Sequence, residues 1–158
     1  MVKVRWLTLW LGLLLILIFI IQNLIPGFTD SLLLNKSSFS EPWRFITSIF
    51  LHGNIAHLFG NLVALLFFGV ILEKTLGSAR FIMIYLISGI LANLVAINFY
   101  SSSLGASGAI MGIIGALAIL RPTMMVWAFG LIMPMAIAAV VWIIIDAVGV
   151  FIPSNIGH

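Results

Sequence analysis

The chain has 158 residues, of which 63% are hydrophobic and 7% charged, with a mean hydropathy of +1.31. A soluble domain of this size needs far more charge to cover its surface, so the composition places the chain in lipid. The net charge of +3 comes from only seven Lys and Arg, scattered singly beside apolar runs, which speaks against nucleic acid; the lack of cysteine excludes disulfides, thiolate chemistry and zinc–thiolate sites.

Apolar stretches of about 17–25 residues cross a bilayer core about 30 Å thick, and several follow one another here. The expected fold is all-α: one domain over residues 1–158, a polytopic helical bundle of five spans plus the first turn of a sixth. Span one runs from about Trp6 to Ile25 and ends at Pro26-Gly27. Its start, Met-Val-Lys-Val-Arg, superficially resembles a secretory signal, but the apolar run is too long and no small-residue cleavage site follows, so it reads as a retained helix. A polar stretch through Trp43 leads to span two, Arg44 to Ile71, closed by Glu73, Lys74 and Gly77. Span three covers Phe81 to Phe99, and Tyr100 to Ser103 lead into span four, Leu104 to Leu120, ended by Arg121-Pro122. Span five covers Met124 to Ile145, and Ile156-Gly157-His158 read as the first turn of a sixth helix.

With the N-terminus in the cytoplasm, that side holds Lys3, Arg5, Lys74, Arg80 and Arg121, and the other side only Lys36 and Arg44. The positive-inside rule therefore predicts a cytoplasmic N-terminus in the cell membrane. The starts of spans two and four and the segment at His158 then share the outer face.

Polar side chains at membrane depth are costly and need a reason. Asn54, His57 and Asn61 stand at i, i+3 and i+7, which predicts one helical face, with His52 a turn above near the mouth. Such a face offers hydrogen-bond donors to the bundle interior; interhelical packing explains an isolated Asn but explains two His and two Asn less well. Metal binding fits poorly, since two ligands on one helix favour i, i+4 spacing and no carboxylate lies in the segment. Gly105-Ala-Ser107-Gly108 stands where a polar stretch meets span four. Its serine could simply cap the helix, and Gly108, Gly112 and Ala116 form a small-residue stripe suited to close packing at the bundle centre. A nucleophilic serine wants the same setting of a close backbone, a nearby N–H and little water.

Taken together, Trp43-Arg44, His52-x4-His57-x3-Asn61, Glu73-Lys74 with Gly77, and Gly105-Ala-Ser107-Gly108 resemble the rhomboid family of intramembrane serine proteases, over roughly residues 42–158. The resemblance implies that Ser107 is the nucleophile of a Ser–His dyad without a third acidic member, Asp146 being solvated or structural. It implies that His57 and Asn61, with the backbone near Gly105, serve the oxyanion and substrate, that His52 supports the site, and that Trp43-Arg44 shape the loop before span two. The implied partners are the bilayer and a membrane-protein substrate whose spanning helix is cleaved, with no cofactor, no metal and no nucleic acid. Met111 stands where many relatives carry an aromatic that stacks on the base.

The departure is at the end of the chain. Family sequences often close with a His-x-x-His-Leu-x-Gly type of pattern, whose second histidine is the base and whose small residues pack on the serine helix, while shorter versions carry a single histidine. Either His158 is the first of that pair and the base lies three positions further on, or His158 is itself a single base. In both cases the chain is expected to be incomplete at its C-terminus, with the Gly108/Gly112/Ala116 stripe awaiting the sixth span, and to cleave little or nothing by itself. The competing reading is a non-catalytic rhomboid-like protein that binds or escorts membrane helices. A channel is disfavoured because span two turns wholly apolar below Asn61.

Overall fold

In lipid no water satisfies an exposed backbone, so apolar runs of this length resolve into helices that pair their own N–H and C=O groups. The computed structural model describes residues 3–150, with side chains as far as Ile145. In chain order it contains α1 (Leu7–Leu24), a short α2 (Phe28–Leu32), β1 (Leu34–Asn35), a 3₁₀ turn (Lys36–Phe39) and α3 (Arg44–Thr47). After a second 3₁₀ turn (Ser48–Phe50) come α4 (Ile55–Leu76), α5 (Ser78–Ala96), β2 (Ser102–Ser103) and α6 (Ser107–Leu120). The hairpin β3 (Met125–Ala128) and β4 (Leu131–Pro134) precedes α7 (Met135–Val150). Among the described residues three helices, α1, α4 and α5, are long and apolar enough to cross a membrane.

Two expected spans are drawn differently. Span two is not one helix from Arg44: α3 and its 3₁₀ turn end at Phe50, and residues 51–54 break the chain before α4 starts at Ile55. The break has a physical cause in Asn54, whose extended backbone and side-chain oxygen, accepting from the His57 N–H at 2.8 Å, make it the N-cap of a new helix. Span five does not begin at Met124, because residues 125–134 form an antiparallel hairpin with Ala128 opposite Leu131. Its two-residue turn has Phe129 and Gly130 both at positive φ, 55° and 81°, the geometry that matches strand twist. Val126, Trp127 and Ile132 suit strands, and Pro134 removes the N–H that a helix interior would need.

At one end of the bundle, the buried Glu73 near the close of α4 ties α1 in place. Its carboxylate accepts from the N–H groups of Leu7 at 2.8 Å and Thr8 at 2.9 Å, from the Thr8 hydroxyl at 2.7 Å, and from the Ser78 hydroxyl. The first N–H groups of a helix have no acceptor of their own, and a negative charge there suits the helix dipole. A buried carboxylate is tolerable because donors surround it. At the other end, Arg44 gathers the segment after α1, donating to the carbonyls of Asp30 at 2.7 Å and Leu33 at 2.9 Å and pairing with Glu41. Trp43 stays half exposed.

The serine helix α6 occupies the centre, with Ala109, Ile110, Ile113, Ile114 and Leu117 buried. Its small-residue stripe does not wait for a later helix. A β-carbon on Gly108 would strike Ala92, and one on Gly112 would strike Ser88, both on α5. The expectation that this stripe is reserved for a sixth span is therefore corrected: α5 already fills it. Leu15, Leu65, Leu72, Phe81 and Tyr85 complete the core, while Leu13, Leu17, Phe59, Phe67, Ile87 and Leu91 face outward, as lipid contact requires.

A paired test follows from Gly112 and Gly115. Gly112→Ala forces α5 and α6 apart and should cost about 1–3 kcal/mol, read as a lowered thermal midpoint in detergent. At Gly115 a β-carbon meets nothing within 4 Å, so Gly115→Ala should leave that midpoint unchanged or raise it.

Candidate active site

The site grows from the break before α4. With Asn54 as N-cap, His57 falls in the first turn of α4 and Asn61 one turn further on. Asn54 itself is exposed, so the expectation of three inward polar residues holds for His57 and Asn61 and fails for Asn54, whose amide is used in capping. His52, in the break, is 1% exposed, and its ring packs edge-on against His57 with centroids 5.1 Å apart. The His52 backbone is clamped to α1 by Gln22, which accepts the His52 N–H at 3.0 Å and donates to the His52 carbonyl at 3.2 Å.

The serine arrives on a separate strap. β2 pairs with β1, Ser103 opposite Leu34, and so ties the segment ahead of α6 to the segment after α1. Gly105 then turns at φ +131°, a region that disfavours side chains, and its N–H donates to the Ser48 carbonyl at 2.9 Å. Ser48 is held in turn by Asn93 of α5, whose amide donates to the Ser48 hydroxyl at 2.9 Å and to the Phe45 carbonyl at 2.8 Å.

This strap lays Gly105 against the α4 face. A β-carbon built on Gly105 would stand 2.7 Å from His57 Cε1, 2.9 Å from His57 Nε2 and 3.9 Å from Asn61 Nδ2. Only glycine leaves room here for both the backbone turn and the imidazole. Two residues on, Ser107 opens α6, where the leading N–H groups lack intrahelical acceptors. Ser107 and Asn61 line one cavity of about 280 Å³, together with Ala64, Met111 and Trp142. Asn61 is 8% exposed, and its Nδ2 has no hydrogen-bond partner among the described residues. A buried donor without a partner asks for an explanation, and an acceptor brought by a reacting group supplies one.

The structure thus brings His57, Asn61, Gly105 and Ser107 together, with His52 packed behind His57. His158 lies outside the described residues, as does the Asp146 side chain. Three contributors escape a reading of motifs: Gln22, which clamps His52; Asn93, which supports the strap; and Trp142, which lines the cavity. Gln22 and Asn93 carry a usable signal, since each is a polar side chain within an apolar run. Trp142 carries none among so many apolar neighbours.

A family model described as the rhomboid domain matches residues 39–158. The chain is 48% identical over 79 residues to Rhomboid protease GluP of Bacillus subtilis (strain 168), a match covering 49% of this chain and 15% of that protein. It is 42% identical over 80 residues to RHOMBOID-like protein 6, mitochondrial, of Arabidopsis thaliana, covering 49% of this chain and 26% of the relative. Inactive RHOMBOID-like protein 8 of the same plant is 40% identical over 79 residues, covering 49% of this chain and 22% of the relative. The chain thus matches only about a quarter or less of the length of these relatives. With the family model covering most of its length, this chain belongs to the rhomboid family.

Proposed function

We propose that the chain is the membrane core of an intramembrane serine endopeptidase that cleaves a spanning helix of another membrane protein. The observation that carries this reading is the cavity shared by Ser107 and Asn61, with the His57 ring against Gly105. The family contains proteases and a relative named inactive, so similarity alone does not choose between catalysis and mere helix binding. The choice rests on Ser107 at a helix start beside a buried amide donor with no partner among the described residues.

In this mechanism the Ser107 hydroxyl attacks a peptide carbonyl while a histidine imidazole takes its proton. That base is His158 or a histidine that follows it, and an ordinary imidazole pKa of about 6.5 suits the task at neutral pH. The oxyanion that forms receives hydrogen bonds from the Asn61 amide, the His57 ring and the N–H at the start of α6. The imidazole then returns the proton to the leaving amine, and water entering the cavity hydrolyses the acyl-serine. His52, buried against His57, holds that ring in place. Five spans with the N-terminus inside complete the proposed arrangement, placing Ser107 near the outer face of the cell membrane.

Cleavage of a single-span substrate with a helix-destabilised outer end, reconstituted in liposomes, is the test. Ser107→Ala should abolish the product band at unchanged expression, and Asn61→Ala should slow its formation by about 10²–10³-fold. Undiminished cleavage by Ser107→Ala contradicts the assignment. Orientation has its own test, made clean by the absence of native cysteine. Single cysteines at Lys36 and Arg121 should label from opposite sides of intact cells, and labelling of both from one side would overturn the proposed topology.

A further inference from the structure

A second cavity lies a helix length from Ser107. The α4 helix starts beside the serine cavity and ends at Leu76, which lines a separate space of about 750 Å³. Lys3, Arg5 and Arg80 converge on it from two directions, the first two from the segment ahead of α1 and the third from the first turn of α5. Among the described residues none of the three pairs with a carboxylate. Glu73, the carboxylate at this end, is taken up by the donors of Leu7, Thr8 and Ser78. Three exposed cations around one space, with no carboxylate paired to them, raise its positive potential and favour an anion there.

The remaining lining says what kind of anion. Leu7, Leu76 and Ile82 give the cavity apolar walls where three helix ends meet. Gly77 caps α5 without a side chain, and although the Ser78 N–H is taken by the Lys3 carbonyl at 3.1 Å, the positive end of the α5 dipole adds to the cationic field. Cations above apolar walls at the end of membrane-crossing helices match a phosphate group carrying acyl chains. General inward bias of positive charge does not explain the convergence. Lys74 and Arg121 stand outside the cavity, Lys74 over the Trp6 ring at 5.2 Å and Arg121 at the end of α6.

We propose that this cavity is a binding site for the phosphate headgroup of one anionic phospholipid, held by Lys3, Arg5 and Arg80. It is independent of the proposed proteolysis and pins the junction of α1, α4 and α5 to the lipid surface. The test uses the whole chain in nanodiscs of phosphatidylcholine with or without phosphatidylglycerol, followed by native mass spectrometry and thermal unfolding. The wild type should retain one phosphatidylglycerol and unfold at higher temperature when it is present. Arg5→Gln/Arg80→Gln should weaken retention about tenfold, and Lys74→Gln/Arg121→Gln, an equal change in charge, should not. Unfolding midpoints in phosphatidylcholine alone check that the variants fold, and Arg80→Gln by itself, at an exposed position, gives a second reading. Equal loss in both double variants, or none in either, overturns the site. Inorganic phosphate that stabilises the wild type in phosphatidylcholine as strongly as phosphatidylglycerol does would overturn the lipid assignment in favour of a soluble anion.

Discussion

The contact on which this structure depends is the close approach of α5 and α6, where Gly108 meets Ala92 and Gly112 meets Ser88. Between membrane helices there is little hydrophobic drive, because lipid tails are as apolar as leucine; packing at short range decides association. Glycine at both positions lets the two backbones approach until side chains of α5 rest on the main chain of α6. That contact puts α6 at the centre, where an apolar core surrounds it. It also brings Asn93 of α5 alongside Ser48, and so fixes the strap that delivers Gly105 and Ser107 to the face of α4.

Around this centre, polar groups at membrane depth are kept together in two places. Near the serine, Asn54 closes the start of α4, Gln22 clamps the His52 backbone, and Arg44 collects the carbonyls of the segment after α1. At the far end Glu73 collects the unpaired amides of α1. Each of these side chains satisfies backbone groups that lipid cannot. Asn61 differs, because among the described residues its buried amide donor has no partner, in a cavity that also holds a serine. Those side chains are spent on the backbone, whereas the amide proposed to act on substrate is not, among the described residues.

Much of this was legible in the sequence, for particular reasons. The long apolar runs announced α1, α4 and α5, and the spacing of His57 and Asn61 placed both on the inner face of α4. Asn54 belonged to the same pattern by spacing, yet it precedes a new helix. An Asn three residues ahead of His57 is equally a cap and a face residue, and only the break at residues 51–54 decides. The hairpin at residues 125–134 was hidden because its Val, Trp, Ile and Met are as apolar as a membrane helix. Hydropathy does not separate the two, although Phe129-Gly130 and Pro134 mark the turn and the stop. The Gly108/Gly112 stripe declared close packing but not its partner, which depends on the position of Ser88 and Ala92 along α5. Gln22 and Asn93 were visible as polar residues in apolar runs, without any sign of what they hold.

The central claim is that Ser107 is an activated nucleophile. Treating the purified protein with a fluorophosphonate and mapping the adduct by peptide mass spectrometry tests it directly. Ser101, Ser102 and Ser103 lie on the same strap and serve as internal controls. The account predicts a single adduct on Ser107, with those three hydroxyls unmodified. An adduct spread evenly over the four serines, or present on the others and missing from Ser107, would contradict it.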